Sequence, residues 1–467
     1  LTRPAHPSLA DAAPTAYWLD RGDAPAAADP LRWHEACDLA VIGGGYTGLW
    51  AALLAKEANP DWDVLVVEAA TVGSAASGRN GGFCAASLTH GLSNGRRHAG
   101  DELAALDRLG RANLDAIAAT IAHYGIDCDF TPSGALDVAT APHQVAWLHE
   151  DANAAHALGH DVAVLDRDQV RDELDSPTYH GGAWHRDTTA LVDPARLAWG
   201  LRAASETLGV RFVEHTRVRG LRNYWAGVRV LTESGPVVRA PRVVLATNAF
   251  PAPLRRLRRY LVPVYDYALM SEPLDAAQLA ALGWRNRQGV GDLGNQFHYY
   301  RLTADNRILW GGYDAIYHWA NRIDARLEQR PATFDTLAGH FFATFPQLDG
   351  LRFSHAWGGV IDTCSRFFAF QGTAMQGRVA YSLGYTGLGV AASRFGAAVA
   401  LDLLGTAGGE ASRLGTVTSR PVPFPPEPLR YAGIQLTRRA LAHADANDGR
   451  RGAWLRLLDR VGLGYDS

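Results

Sequence analysis

An α/β fold is predicted, pairing a Rossmann-like dinucleotide-binding unit with a second region on a mostly antiparallel sheet. Three observations predict it. Residues 37–68, CDLAVIGGGYTGLWAALLAKEANPDWDVLVVE, read as a strand, a glycine turn, a helix and a second strand ending in a carboxylate. Residues from about 254 to 354 alternate apolar and polar positions in short runs, as antiparallel strands do. Near the end a second glycine turn, GYTGLGV, opens a long apolar helix.

In the first unit the run Leu39-Ala40-Val41-Ile42 is short and uninterrupted, the pattern of a parallel strand buried on both faces. Gly43, Gly45 and Gly48 then fit G-x-G-x-x-G. The first permits the tight turn, the second lets backbone approach a pyrophosphate, and the third lets helix pack on strand. A helix over about 46–56 starts at Tyr46 and Thr47 and points its free N–H groups and positive dipole end at an anion. Glu68 ends the next strand, 20 residues after Gly48, where an acid accepts hydrogen bonds from the ribose hydroxyls of an adenosine. A carboxylate there repels a 2′-phosphate, so NADP is disfavoured.

With 467 residues the chain can bury a large core, and one interleaved two-domain enzyme is expected. A hydrophobic fraction of 47%, a charged fraction of 20% and a net charge of −3 give no electrostatic case for nucleic acid. Cys37, Cys84, Cys128 and Cys364 show no metal or disulfide spacing, so no metal site is expected and an intracellular, cytoplasmic setting fits. No apolar stretch reaches transmembrane length, and the N-terminal residues lack the basic and apolar regions of a signal peptide. Leu1 is not an initiator methionine, which points to a trimmed start. Lys56 is the only lysine beside 44 arginines, which excludes an ammonium role elsewhere.

Taken in order, residues 1–36 form an arm with an aromatic spot at Tyr17-Trp18-Leu19. After Glu68 the chain enters VGSAASGRNGGFCAAS, where Gly73, Gly78, Gly81 and Gly82 surround Arg79 and Asn80 and suit backbone wrapped around a ligand. Helical spacing follows over 101–124, 142–158 and 194–208, the last opened by Asp193-Pro194 as N-cap and first helical residue. VRVLTESGPVVRA reads as a hairpin turning at Glu233-Ser234-Gly235, and PRVVLATNAF as a buried strand rejoining the first sheet. The basic run 254–260 reads as a solvated face or internal ion pairs.

Over 254–354 the strands carry Tyr265, Tyr267, Phe297, His298, Tyr299, Tyr300, Trp310 and Tyr313 in alternating segments, followed by a long helix between 323 and 345. One set can face an aromatic chamber while the other fills the core. HAWGGVIDT and residues 379–383 then read as strands leading to Gly384, Gly387 and Gly389 at the start of the second helix, whose N-terminus could stabilise negative charge on a cofactor. The tail continues through PVPFPPEPLR, extended, to an amphipathic helix with Trp454, Leu457, Leu458 and Val461 on one face, expected to dock on the body.

VIGGGYTG with Glu68, SGRNGG, VVLATNAF, HAWGGVIDT and GYTGLGV, in this order, resemble the flavoprotein family of D-amino-acid oxidase, glycine oxidase and sarcosine oxidase, within it most the gamma-glutamylputrescine oxidase-like branch. The resemblance spans nearly the whole chain. It implies FAD, a discontinuous Rossmann-like FAD-binding domain and an α+β substrate domain. The segments assigned are 37–100, 190–253 and 355–405 for FAD, and 101–189 with 254–354 for substrate; the arm 1–36 and the tail 406–467 complete the chain.

Carried over by motif, Gly43, Gly45 and Gly48, with Tyr46 and Thr47, hold the pyrophosphate, and Glu68 with Ala69 the ribose. Ser77, Gly78, Arg79, Asn80, Gly81 and Gly82 hold the ring and its linker. Val218 presents backbone to the adenine, and Thr247 marks the returning strand. Gly384, Thr386, Gly387, Leu388 and Gly389 lie about the flavin N1 and C2 carbonyl, and Gly358 is a further cofactor-binding residue. Departures matter as much. Trp310 stands where sarcosine-oxidase-like members carry a lysine that assists reaction with oxygen. Ala391 stands where they hold a substrate carboxylate with a basic residue, and Leu388 replaces a histidine. A larger amine in an aromatic pocket fits better than a small amino acid. Cys364 lies beyond the position aligned with cysteine attachment of FAD, so noncovalent FAD is expected.

The reaction so implied is oxidation of an amine or amino-acid C–N bond by hydride transfer to flavin N5, giving an imine that hydrolyses, with electrons passed to O2 to form H2O2. Tyr267, His298, Tyr300, Trp310, Asp314 and Trp357 are the pocket candidates, with His298 able to serve as general base, and Arg79 could neutralise a flavin or substrate anion. Two alternatives stay open: a dehydrogenase using a quinone or protein acceptor, and a non-catalytic flavin-bearing subunit. The amine, its stereochemistry and the oligomeric state are not legible.

Overall fold

A computed structural model describes residues 6–250, 253–405, 408–460 and 462–463. Val461 and Thr406, used above for the last helix and the tail, lie outside them.

The strands Leu39–Ile42 and Val64–Val67 sit at the centre of a six-stranded sheet, every residue of both buried. Its order is Phe370–Ala374, Val379–Leu383, Arg242–Leu245, Leu39–Ile42, Val64–Val67, Arg211–Val213, parallel except for the first strand. Ile42 stands in register with Val67 and Leu245. The parallel register delivers Gly43, Glu68, Ala246 and Gly384 to one edge of the sheet, the carboxyl ends where α/β sheets bind ligands. Three separate stretches of sequence therefore build one binding edge.

The helix Tyr46–Ala58 packs against Pro194–Thr207 and Gly389–Leu403, with Leu49, Trp50 and Leu53 fully buried. Each such apolar side chain contributes about 1.5–3 kcal/mol through burial. Asp193 caps Pro194–Thr207 by accepting from Arg196 N at 3.0 Å, as the Asp-Pro pair predicts. The hairpin at 233–235 joins Gly227–Thr232 to Val237–Ala240 in a four-stranded sheet.

The second region is a nine-stranded sheet. Val262–Ser271 runs beside Ile308–Gly312, followed by His298–Leu302, Gly289–Asp292 and Ala135–Ala139, and all these pairings are antiparallel except the last. Phe353–Thr363 pairs with Val262–Ser271 from Val262↔Thr363 to Ser271↔Phe353. This corrects the expectation that residues from 355 rejoin the first sheet: backbone hydrogen bonding holds that strand in the second sheet, and the return comes at Phe370–Ala374.

The helix expected over 323–345 is Pro331–Thr344, preceded by a short turn, Ala325–Glu328, capped by Asp324. Proline at the first helical position sets the later start. The arm docks on the body, with Trp18 only 2% exposed. Beyond the short turns Ala411–Arg413 and Gly415–Thr418, the described residues of the tail form two longer helices, Leu429–Asp445 and Ala453–Arg460, where the sequence suggested one. Leu455 is buried, and the Trp454 indole donates to Thr437 Oγ1 at 2.9 Å, tying the helices together. Among the described residues no helix is long and apolar enough to cross a membrane.

Candidate active site

A cavity of about 1550 Å³ opens at the carboxyl edge of the six-stranded sheet and runs between it, the nine-stranded sheet and the C-terminal helices. Typical ligand clefts hold roughly 300–1,000 Å³, so this one has room for a large cofactor with a substrate beside it.

Gly45, Tyr46 and Thr47 border the cavity at the first turn of helix Tyr46–Ala58. Gly43 adopts φ +108°, where a Cβ would lie 2.3 Å from Ala246 O, and a Cβ on Gly48 would lie 1.9 Å from Gly43 O. A Cβ on Gly45 would meet only Ser77 Oγ, at 3.0 Å. So the first and third glycines make the turn, and the second leaves its approach open. Tyr46 N donates to Ser77 Oγ at 2.9 Å, which brings the second loop onto the helix start.

From that loop Ser77, Arg79, Asn80 and Gly81 border the cavity, while Gly78 and Gly82 shape the turns behind. Two indoles hold it: Trp18 donates to Asn80 O and Trp357 to Arg79 O, each at 2.9 Å. Arg79 pairs with Glu328 at 2.5 Å and donates to Ser74 O at 2.8 Å, so its charge is already met within the protein.

Thr386, Gly387, Leu388 and Gly389 border the cavity at the start of Gly389–Leu403, and Gly384 turns the chain into them. A Cβ on Gly387 would meet nothing within 4 Å, and the N-cap residue Leu388 offers no side-chain hydrogen bond. Asp362 supports this turn, its carboxylate accepting from Gly384 N at 2.5 Å and Tyr385 N at 3.1 Å. Burial pushes the Asp362 carboxyl up to about 7, although both amides act against the shift.

Glu68, Ala69, Val218 and Thr247 stand outside the cavity. Glu68 accepts from Gly44 N at 2.6 Å and Ala70 N at 2.7 Å, and burial raises its carboxyl above the usual range against those bonds. Val218 opens the strand Val218–Tyr224, just after Thr216, whose amide donates to Glu68 O at 2.8 Å. Thr247 Oγ1 is buried without a hydrogen-bond partner among the described residues, beside the Gly43–Ala246 contact.

The residues present therefore fit FAD. Two helix N-termini whose own N-cap residues offer no side-chain hydrogen bond converge on one cavity, a loop with open backbone lies between, and an orphan hydroxyl and a half-buried acid flank the first turn.

In the nine-stranded sheet the structure separates the aromatic residues by parity. Val264, Asp266 and Ala268 of Val262–Ser271 border the cavity, while Tyr265 and Leu269 join the core on the other face. Tyr267 touches the cavity edge, but its ring packs on Phe334 and its hydroxyl donates to Leu327 O at 2.8 Å. On His298–Leu302 it is Tyr299 that reaches the cavity; Tyr300 is buried with its hydroxyl 2.5 Å from that of Tyr179.

His298, Tyr300, Trp310 and Asp314, expected in the pocket, thus stand outside it. His298 spends one ring nitrogen on Asp292 at 2.7 Å and the other on His340 at 3.0 Å. Trp310 packs against Tyr300, Phe341 and Phe345. Asp314 accepts from Arg330 at 2.8 Å and Thr333 at 2.7 Å, joining strand end to helix. Gly358 turns to this same face, where a Cβ would lie 2.8 Å from the Tyr267 ring. Trp357 does border the cavity, with Gly359.

Two features escaped the sequence reading. Asp266, which accepts from the Tyr299 hydroxyl at 2.6 Å, is the one acid within the strand VPVYDYALMS, and that lone charge in an apolar run was the available signal. The helix Leu429–Asp445, which lines the cavity with Leu429, Ile434, Leu436 and Leu441, follows the five prolines of PVPFPPEPLR that suggested extended chain.

Comparison with known proteins agrees with this geometry. The chain is 31% identical to gamma-glutamylputrescine oxidoreductase of Escherichia coli over 419 residues, covering 88% of this chain and 93% of the relative. It is 29% identical to the probable oxidoreductase OrdL of Haemophilus influenzae over 387 residues, 80% of this chain and 84% of the relative. Glycine oxidase from Geobacillus kaustophilus shares the fold with a TM-score of 0.67 at 20% identity, over 80% of this chain and 96% of that one. L-proline dehydrogenase from P.horikoshii does so with a TM-score of 0.66 at 20% identity, over 82% and 96%. The DAO family model, FAD dependent oxidoreductase, matches residues 38–403, and the chain belongs to that family.

Proposed function

We propose that this protein is an FAD-dependent oxidase that converts the C–N bond of an amine or amino acid to an imine, with O2 receiving the electrons. The observation that carries the reading is that one cavity is bordered both by the two uncapped helix starts at Gly45–Thr47 and Gly387–Gly389 and by the substrate-sheet residues Tyr299 and Trp357. FAD, when bound, supplies the two-electron oxidation. The chain's residues supply the rest. Gly45, Tyr46 and Thr47 would hold the pyrophosphate, Glu68, just outside the cavity beside Gly44, would meet the ribose, and the 77–82 loop would border the ring. The tail helices line the cavity with Leu429, Ile434 and Trp454.

The substrate side is rich in aromatic side chains, with Phe83, Phe297, Tyr299, Tyr313 and Trp357 bordering the space beside Asp266. That supports an amine longer than glycine, in keeping with the name of the Escherichia coli relative. FAD is held noncovalently: Cys364 Sγ is buried and donates to Phe368 O at 3.1 Å. The four free, buried cysteines suit a reducing compartment.

One observation favours a dehydrogenase as second reading. The sole lysine, Lys56, donates to Trp62 O at 2.7 Å and stands outside the cavity, so no lysine assists reaction with oxygen. The test is the visible spectrum of the FAD-loaded protein, followed anaerobically through a panel of primary amines, secondary amines and D- and L-amino acids, then re-aerated. Bleaching with rapid, peroxide-forming recovery is expected. Bleaching that persists in air supports the dehydrogenase, and an unbleached flavin across the panel overturns both.

A further inference from the structure

Amine substrates reach an enzyme at neutral pH as ammonium ions, and a protonated nitrogen has no lone pair to expel hydride from the adjacent carbon. A site that oxidises amines must bind a cation and relieve it of a proton. The reading that follows rests on the proposed function.

The cavity face of the nine-stranded sheet carries a carboxylate suited to this on the strand paired with that of Trp357. Asp266 stands in register with Gly359, and the next cavity-facing pair along these strands is Ala268 with Trp357. Asp266 is thus beside an aromatic wall and across from a residue without a side chain, which leaves space at the carboxylate. A cation there meets a negative charge and an indole face together. Tyr299 fixes the carboxylate, donating at 2.6 Å, and is itself wedged between Gly81 of the 77–82 loop and Gly311, whose added Cβ atoms would lie 2.8 Å and 2.5 Å from its ring. Other acids bordering the cavity have partners within the protein or stand off this strand pair: Asp107 accepts from His160 at 2.9 Å, Asp137 and Asp151 lie 3.5 Å and 3.3 Å from His185 Nε2, and Glu150 belongs to the helix Val145–Ala157. Asp292 accepts from His298 Nδ1, His298 N and Gly294 N, and Asp362 from Gly384 N and Tyr385 N.

We infer that Asp266, positioned by Tyr299, binds the substrate ammonium and takes its proton before the C–N bond is oxidised. In this step an N–H bond breaks and an O–H bond forms at Asp266, turning ammonium and carboxylate into neutral amine and carboxylic acid; charge and atoms balance, and the proton later leaves to solvent. In bulk water the ammonium would keep the proton. At a half-buried carboxylate beside apolar walls the neutral pair gains, because each buried ion costs several kcal/mol. Burial pushes the Asp266 carboxyl up to about 6, with Asp314 acting in the same direction and the Tyr299 hydroxyl, the Tyr267 amide and His298 against it. Arg79, whose Cβ is 3.7 Å from a Cβ built on Gly359, is neutralised by Glu328.

The test uses FAD-loaded protein and tetramethylammonium, a cation with no N–H and no route to an imine, read by perturbation of the flavin spectrum. Wild-type affinity should rise with pH through about 6 as Asp266 ionises. Asp266→Asn should bind at least about 10-fold more weakly and without pH dependence, while tert-butanol, similar in shape and uncharged, should bind both proteins alike. Equal cation affinity in Asp266→Asn and wild type, or no saturable binding to wild type, overturns the inference. If Asp266→Asn loses FAD, Tyr299→Phe decides. Removal of its hydrogen bond should move the midpoint of cation binding to higher pH, and an unmoved midpoint overturns the assignment. Amine bleaching with no tetramethylammonium binding would leave the oxidase standing and remove this step alone.

Discussion

Trp18 and Trp357 stand far apart in sequence and donate to consecutive carbonyls of one loop, Asn80 O and Arg79 O, both at 2.9 Å. One indole comes from the N-terminal arm and the other from the substrate sheet, so the loop bordering the cavity is held from both sides. Replacing either by Phe leaves a carbonyl without its donor at a cost of about 1–3 kcal/mol. Trp18→Phe and Trp357→Phe should each raise the FAD dissociation constant by about 10-fold, measured by titrating apoprotein with FAD and following quenching of its fluorescence. Unchanged affinity in both would mean that the loop is held by its own turns alone.

The glycines of the first turn divide into two kinds. A methyl on Gly48 would lie 1.9 Å from Gly43 O, whereas one on Gly45 meets Ser77 Oγ at 3.0 Å, a hydroxyl able to move. Gly48→Ala should therefore lower the stability of apoprotein by about 1–3 kcal/mol, the usual range for overpacking. Gly45→Ala should keep that stability and lose FAD affinity. Denaturant midpoints of the two apoproteins, set beside their FAD titrations, separate the effects. Equal loss of stability in both would contradict the division.

The FAD edge was legible because glycine spacing and a spaced carboxylate encode it locally: Gly43, Gly45, Gly48 and Glu68 all fall in one strand-turn-helix-strand unit. The substrate face was not. Alternation shows that two faces exist, yet which face meets the cofactor depends on pairing with strands that are remote in sequence, as Asp266↔Gly359 shows. A shift of one residue exchanges the sets. Weighting the aromatic residues selected Tyr267, Tyr300 and Trp310, where the sheet turns Asp266 and Tyr299 toward the cavity. The tail helix Leu429–Asp445 was hidden in a different way, since its cavity partners lie in distant segments and prolines precede it.

The same parity gives opposite roles to two tryptophans. Trp310 is 1% exposed among Tyr300, Phe341 and Phe345, away from the cavity. Trp310→Ala should cost about 3–5 kcal/mol of stability, as large-to-small core changes do, and leave the flavin spectrum of the folded, FAD-loaded fraction unchanged. Trp357, which borders the cavity, should alter that spectrum when replaced. Visible spectra of the two variants, each normalised to bound FAD, check the contrast, and an altered spectrum in Trp310→Ala would put its indole near the flavin.

Asp362 gives apoprotein stability a pH dependence of definite sign. Its carboxyl, 1% exposed, is pushed by burial up to about 7, well above the ordinary value of 3.8. Between those values the folded state binds the proton that the unfolded state has released, so stability falls as pH rises. The contribution is complete below about 4 and lost by the time pH passes about 7. Asp362→Asn keeps the size and cannot ionise; it should show a smaller loss between pH 5 and pH 8 than wild type, even if its absolute stability is lower because one backbone amide now faces an NH2 group. Urea midpoints of both apoproteins at the two pH values supply the comparison. Parallel losses in variant and wild type would mean that Asp362 is ionised throughout, held so by the Gly384 and Tyr385 amides.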